Sequence, residues 1–270
     1  MKLPLNNDDR VNWQVPAYQS PLWLGKRFPY AVIIPVINEG ERLHRFLEHM
    51  NQVNIPQMAD IIIVDGGSTD NSLHLEQLRE KNICGLLVKT GPGKLSAQLR
   101  CGYAFALEQG YQGVITIDGN NKDDPAAIPQ FIESLENDVD FVQASRFIAG
   151  GVAENTPKLR DLAIRWIHAP MLRVFSGFPW TDTTQGFRGY SRRLLLDPRL
   201  APFRDIFIHY ELLVYFSYQA PRLGYRCTEK PTARRYPSGE VPTKISSIKG
   251  NWSVFKALLK ACLGIYSPKM

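Results

Sequence analysis

Cysteine is scarce in this chain. Four occur in 270 residues: Cys84, Cys101, Cys227 and Cys262. None stands at a metal-ligand spacing from another, which argues against a zinc module. Scattered single thiols fit reduced, buried side chains in a cytoplasmic protein. The five histidines show no ligand pairing, and no Ser-His-Asp arrangement can be argued. No run approaches the roughly 20 apolar residues that span a bilayer. Residues 1–29 hold no apolar core of the signal-peptide type. A bilayer, if the protein meets one, is therefore expected to be met from one side. There is no internal repeat and no low-complexity tract. Neither sign of charge dominates, since 32 Lys and Arg against 26 Asp and Glu leave +6. That balance suits a solubility surface, an anionic lipid or a phosphate ligand, and nucleic acid is not expected as a partner.

What is present is a pair of strand-ending acidic loops. Ile61-Ile62-Ile63-Val64 runs into Asp65-Gly66-Gly67-Ser68-Thr69-Asp70, and Val114-Ile115-Thr116-Ile117 runs into Asp118-Gly119-Asn120. Short β-branched runs of this kind read as buried strands of a parallel sheet. Ligands of open α/β sheets bind beyond the carboxyl ends of such strands. Two Asp residues delivered there, with glycines that permit close approach, suit a nucleotide diphosphate and its metal.

The rest of the chain alternates in the same way. Strands are expected at Tyr30–Pro35, Gly85–Val88 and Asp140–Ala144. Helices are expected over Glu41–Val53, from Asn71 through Leu78, over Lys94–Gln109 and from Pro125. Further helical spacing covers Leu159–Phe175, interrupted near Pro170, and Ile208–Tyr218. This alternation predicts an α/β fold with a mostly parallel, doubly wound sheet. The expected organisation is an arm over residues 1–29 packed on the domain, a main domain over 30–250 and an amphipathic helix over 251–270. In that last helix Trp252, Phe255, Leu258, Leu259 and Cys262 share one face. A basic amphipathic helix either lies in a membrane interface or packs on its own domain, and the sequence leaves both open.

The order IIPVINE, IIIVDGGSTDNS, GPGKLSAQLRCGYAFA, ITIDGN resembles the inverting family 2 glycosyltransferases. Within that family it is similar to the dolichyl- or polyprenyl-phosphate sugar synthases, because Ala144-Ser145-Arg146-Phe147, Thr184-Gln185-Gly186-Phe187-Arg188-Gly189-Tyr190 and Arg234-Arg235-Tyr236 follow in order. The resemblance covers roughly Tyr30 to Gly250. It implies a Rossmann-like GT-A fold, a nucleotide-sugar donor, a lipid-phosphate acceptor and Mg2+ or Mn2+. The setting it implies is cytoplasmic, or peripheral on the cytoplasmic face of a membrane.

Several residue roles come with that resemblance. Asp118 and Asn120 fall where the family carries an Asp-X-Asp metal motif. Asn120 offers only a neutral amide oxygen, which should weaken metal binding. Lys122, Asp123 and Asp124 follow; Lys122 could replace part of the metal's charge, and the two Asp could supply a carboxylate or simply cap a helix. Asp65 would anchor base or ribose, with Pro35, Asn38 and Glu39 bordering the nucleoside. Gly66 stands where many relatives have a second Asp. Arg146 is expected near the pyrophosphate. Arg160, Arg234, Arg235 and Lys244, with Lys158 and Arg165, form a candidate phosphate-binding set, since guanidinium recognises phosphate through a two-pronged donor.

Other readings rest on the residues alone. Lys94 puts a cation at a helix start, where the dipole disfavours it, so a phosphate or donor sugar is its expected ligand. A phosphate acceptor needs no general base. A sugar hydroxyl does, and Asp182 and Glu211 are the carboxylates near the acceptor motif. Two alternatives therefore stand beside the lipid-phosphate reading: a transferase using a soluble or glycan hydroxyl, and a non-catalytic nucleotide-sugar-binding protein.

Overall fold

The computed structural model describes residues 12–237 and 248–268. Its centre is an eight-stranded sheet. The strands are β1 (Tyr18–Trp23), β2 (Tyr30–Val36), β3 (Asp60–Asp65), β4 (Gly85–Lys89), β5 (Gly113–Thr116), β6 (Phe141–Ser145), β8 (Arg188–Ser191) and β9 (Cys227–Pro231). Their order is β1-β4-β3-β2-β5-β8-β6-β9. Strands β2 to β5 are parallel, as the alternation predicts, and β6 and β9 pair in parallel. Only β1 and β8 run against their neighbours. A small parallel pair, β7 (Val152–Glu154) with β10 (Ala233–Arg235), lies apart from this sheet.

Burial on both faces explains the continuous apolar runs. In β2, Ala31 and Ile33 join one core, while Val32 and Ile34 join the other. In β3, Ile62 and Val64 divide from Ile61 and Ile63 in the same way. This is the two-residue period of a strand covered by helices on each side. Each such Ile, fully buried, contributes roughly 1.5–3 kcal/mol relative to exposure. Helix α1 (Glu41–Gln52) covers one face through Leu43, Phe46, Leu47 and Met50. Helix α3 (Leu95–Glu108) covers the other and is buried from Ser96 to Leu107.

Three elements refine the sequence reading. The arm is not merely packed on the domain: Tyr18–Trp23 is an edge strand of the sheet. The helix expected from Asn71 begins only as α2 at Leu75 and ends at Glu80, because Asn71 adopts φ +56°. Between Lys158 and Ser176, helix α5 (Lys158–Ala163) passes through a π turn (Ile164–His168) into helix α6 (Ala169–Ser176). The turn sits just ahead of Pro170, whose ring and missing N–H forbid a regular α-helical bond there.

Four more helices complete the described chain: α4 (Ile128–Glu136) before β6, α7 (Arg192–Leu196) after β8, α8 (Glu211–Arg222), and α9 (Ile248–Cys262). Helix α9 packs on α8 and α6, with Leu258, Ala261 and Cys262 buried and Trp252 54% exposed. It therefore packs on its domain while keeping an outward apolar residue. Among the described residues no helix is long and apolar enough to cross a membrane. All four cysteines are free, and Cys84, Cys101 and Cys262 are buried.

Candidate functional site

The carboxyl ends of β2, β3 and β5 open on one edge, and the loops there are sewn together. Asp65 is buried and accepts from the Ser68 backbone N–H at 2.9 Å and from its hydroxyl at 2.6 Å. The Ser68 hydroxyl in turn accepts from the Asn38 N–H at 3.0 Å. Asn38 stands at φ +50°, a conformation its short polar side chain tolerates, and its Oδ1 accepts from the Thr69 N–H at 2.7 Å. Asp70 accepts from the Gly40 N–H at 2.8 Å. A cleft of about 390 Å³ lies alongside, lined by Pro21, Asp65, Ser68, Asn71, His74 and Val88 among others. Apolar walls with a few polar groups suit a base and its ribose.

Gln98, on α3, fastens this edge from below. Its Nε2 donates to the Val36 carbonyl at 2.8 Å and to the Val64 carbonyl at 2.9 Å. A Cβ at position 66 would come within 2.9 Å of that carboxamide. A side chain at position 66 would therefore displace the Gln98 carboxamide. Of the other expected donor-side residues, Pro35 is buried in β2 and paired with Val64. Glu39 pairs with Arg42 at 3.0 Å. Lys94 is exposed at the entrance of α3, its N–H donating to the Ile208 carbonyl at 2.9 Å.

Asp118 stands two residues beyond β5 with its side chain 24% exposed. Its Oδ2 lies 3.6 Å from Arg234 Nη2 and 3.5 Å from Asn120 Nδ2. A Cβ on residue 186 would fall 2.6 Å from Asp118 Oδ1, so a larger residue there would displace the Asp118 carboxylate. The buried Arg188 pins that turn by donating to the Gln185 and Thr183 carbonyls, each at 2.9 Å. The Asn120 Oδ1 accepts from the Lys122 N–H at 3.2 Å. Among the described residues no three His, Cys, Asp or Glu side chains converge closely enough to hold a metal by themselves. The half-open Asp118 carboxylate is the oxygen donor of the kind a hard divalent cation takes, while the Asn120 oxygen is engaged by the Lys122 N–H and its amide nitrogen faces Asp118.

Beyond Asp118 the site fills with buried charge. Arg146 grips Asp182 through Nε–Oδ2 at 2.6 Å and Nη2–Oδ1 at 3.0 Å, with both side chains at most 1% exposed. Burial alone would raise the Asp182 pKa, but the Arg146 charge and hydrogen bonds outweigh it and hold the carboxyl below its usual range. Asp182 also accepts from Gln185 Nε2 at 2.7 Å. As a candidate base it is therefore corrected to an ion-pair anchor, since its oxygens are occupied and its proton affinity is depressed. Arg146 Nη1 is buried and has no hydrogen-bond partner among the described residues.

Arg234 is fully interior. It pairs with Asp123, approaches Asp118, and donates from Nε to the Tyr236 hydroxyl at 3.3 Å. Arg160 donates to the same hydroxyl at 3.4 Å. The Lys122 ammonium lies 5.2 Å from the centre of the Tyr236 ring. Burial would raise the Tyr236 pKa, yet the charges of Arg234, Arg160 and Arg146 bring it below the usual phenol value. Burial, then the nearness of Arg234, lowers the Lys122 pKa. The acidic pair after Lys122 divides, with Asp123 serving Arg234 while Asp124 caps the next turn by accepting from the Ala126 N–H at 3.0 Å.

The expected basic set divides too. Arg235, next to Arg234 on a strand, points the opposite way, to Glu154 at 3.2 Å and Asp124 at 3.5 Å on the rim. Arg165 pairs with Asp161 and lies over the Phe147 ring at 3.9 Å. Lys244 lies outside the described residues. Glu211, the first residue of α8, reaches back and ties the preceding loop, its Oε2 accepting from the Ile208 and His209 N–H groups at 3.0 and 2.5 Å. The sequence reading passed over Gln98, Tyr210 and Glu229. Tyr210 has its pKa raised by burial and then by the Asp118 charge. Glu229 accepts from the Thr181 N–H at 2.9 Å and the Asp182 N–H at 3.0 Å, fixing the turn that presents Asp182. No local motif marks these residues, which act across long sequence separations.

Comparison with known proteins fits this geometry. The model of Glycosyl transferase family 2 matches residues 31–197. An undecaprenyl-phosphate mannosyltransferase of Micrococcus luteus is 28% identical over 74% of this chain and 80% of its own. A dolichyl-phosphate hexose transferase of Haloferax volcanii is 26% identical over 86% of this chain and 93% of its own. Among solved structures, glucosyl-3-phosphoglycerate synthase of Mycobacterium tuberculosis with uridine diphosphate superposes at a TM-score of 0.61 and 19% identity. That match covers 91% of this chain and 82% of the other, and it shows a shared fold.

Proposed function

The chain belongs to Glycosyl transferase family 2, and from that premise we propose that it is a hexosyltransferase moving a sugar from a nucleotide sugar to a polyprenyl phosphate. The observation that carries this reading is that, among the described residues, the carboxylates near Asp118 are already engaged while cations are concentrated beside them. Around Asp118 the carboxylates of Asp123 and Asp182 are ion-paired, and Glu211 holds the loop ahead of α8 by accepting from the Ile208 and His209 N–H groups. Arg146, Arg160, Arg234 and Lys122 converge on Tyr236 in the same place. A hydroxyl nucleophile would lack a group to take its proton. A phosphate oxygen needs none and gains from the cations. The names of the Micrococcus and Haloferax relatives support the same acceptor class.

The nucleoside lies in the cleft beside Asp65. The diphosphate runs toward Asp118. Asp118 with Asn120 would hold a divalent cation, Mg2+ or Mn2+, which supplies charge neutralisation to the departing diphosphate. Arg160 and Arg234 hold the acceptor phosphate, and Arg146 offers its unpartnered Nη1 to the same region. A phosphate oxygen attacks the anomeric carbon as the bond to the diphosphate breaks on the opposite side, inverting that centre. Catalysis is then positioning and electrostatics. Free cysteines and a lipid acceptor support a setting on the cytoplasmic face of a membrane.

The test is a panel of nucleotide sugars with a short-chain, water-soluble isoprenyl phosphate and manganese, scored for released nucleoside diphosphate. Release that depends on the isoprenyl phosphate supports the reading. Release with a glycan hydroxyl acceptor and none with the phosphate would overturn it.

A further inference from the structure

The segment from Lys158 to Ser176 is amphipathic in an unusual sense, with its apolar stripe facing outward. Leu159, Leu162, Trp166 and Val174 are 76%, 53%, 75% and 79% exposed, and Ile167 and Phe175 are exposed beside them. On its opposite side Ile164, His168 and Leu172 are buried, and Arg160 reaches inward to the Tyr236 hydroxyl. Monomeric soluble proteins rarely leave such a contiguous apolar patch to water. Helix α9 packs against α6 and carries the exposed Trp252, with Leu263 and Ile265 exposed just beyond its end.

Basic residues frame this face. Lys158, Arg165, Arg173, Lys256 and Lys260 are all exposed, and Asp161, the acid within the stripe, is paired with Arg165. An apolar stripe edged by cations matches the interface of an anionic bilayer, where acyl chains lie beneath negative headgroups. It does not match a second copy of this chain, whose equivalent face would bring the same cations together.

Resting on the function proposed above, we propose that residues 158–176, continued by Trp252, Leu263 and Ile265, form the face by which the protein docks on an anionic lipid bilayer. Docking places the acceptor site at headgroup height. An interfacial helix sinks about 5–10 Å into the headgroup and acyl boundary, and a helix with its side chains is about 10–12 Å across. Arg160, on the inner side of the same segment, is then level with lipid phosphates. The chain need only draw a phosphate inward past one helix while its isoprenoid tail stays in the membrane.

The experiment uses the full chain with vesicles of phosphatidylcholine, with and without phosphatidylglycerol and without polyprenyl phosphate. The wild type should co-sediment with the anionic vesicles. A triple variant, Leu162→Ser with Trp166→Ser and Val174→Ser, should lose about tenfold or more in vesicle affinity. It should keep its melting temperature and its turnover of a short-chain, water-soluble isoprenyl phosphate. The wild type should also show a blue-shifted tryptophan emission on vesicles that is diminished in Trp166→Phe. Equal vesicle binding by wild type and triple variant would overturn the proposal. So would a wild-type dimer that the triple substitution dissociates with no change in vesicle binding. Failure of the functional reading looks different: vesicle binding persists while no nucleotide sugar is consumed with the short-chain phosphate.

Discussion

The two sides of the site are built from different materials. The donor side is held by backbone: Asp65, Asn38, Ser68 and Gln98 satisfy main-chain groups at the ends of β2 and β3. The acceptor side is held by buried charge, with Arg146, Arg160, Arg234 and Lys122 balanced against Asp118, Asp123 and Asp182. Removing one of these side chains leaves a neutral main-chain group without its partner, at a cost of about 1–3 kcal/mol. On the acceptor side, removing one member of a buried ion pair leaves its partner uncompensated, at a typical cost of about 3–5 kcal/mol.

The contrast can be probed where the two sides meet. Asp118→Ala should cut transfer on the order of a hundredfold or more while the protein keeps its fold. Nucleoside diphosphate release with thermal unfolding as a control measures this, and near-normal turnover would remove Asp118 from the seam. Arg160→Ala comes next. Losing one charge-assisted contact, worth roughly 1.5–3 kcal/mol, should raise the KM for the isoprenyl phosphate about ten- to a hundredfold and leave that for the nucleotide sugar nearly unchanged. A donor KM that rises equally would erase the proposed division.

Acidification should weaken the acceptor side. Burial first, then Arg160, lowers the His168 pKa to about 4, from an unfolded value near 6.5. The unfolded state therefore binds the extra proton between those values. Stability is fully present above about 6.5 and falls as pH drops toward 4, by roughly 2 kcal/mol at pH 5. Urea unfolding at pH 7.5 and 5, compared with His168→Gln, checks the sign; equal pH sensitivity in the variant would assign the effect elsewhere. The smallest effect is expected from Glu211→Gln. A carboxamide oxygen can still accept from the Ile208 and His209 N–H groups, so turnover should stay within about twofold of wild type. A dead Glu211→Gln enzyme would instead mark it as a base and favour a hydroxyl acceptor.

The donor side was largely legible in the sequence because its signals are local. A β-branched run ending in Asp announces both a strand and its functional end, and Asp65 and Asp118 stand at such ends. The arm's edge strand was hidden because Tyr18-Gln19-Ser20-Pro21-Leu22-Trp23 has no clean two-residue alternation. The reversed strand β8 was hidden for another reason: its partners β5 and β6 lie tens of residues upstream. Acceptor-side chemistry was read as a list of cations without their partners. Arg146 with Asp182, and Arg234 with Asp123, are long-range pairs that no spacing rule reveals. Adjacent Arg234 and Arg235 looked alike in the string, and only strand geometry separates the interior one from the one on the rim.

The π turn at Ile164–His168 carries a consequence for how this region can change. It sets the phase between two faces: Arg160 ahead of it, Leu172 and Ser176 behind it, all directed inward. Each residue advances a helix by about 100°. Deleting one residue within the turn would rotate everything downstream by that angle, bringing Arg173 into the buried place of Leu172 and moving Leu172 to the half-buried place of Met171. Substitution leaves the phase intact. The segment should therefore accept many replacements at its outward positions, yet tolerate insertion or deletion only in whole turns.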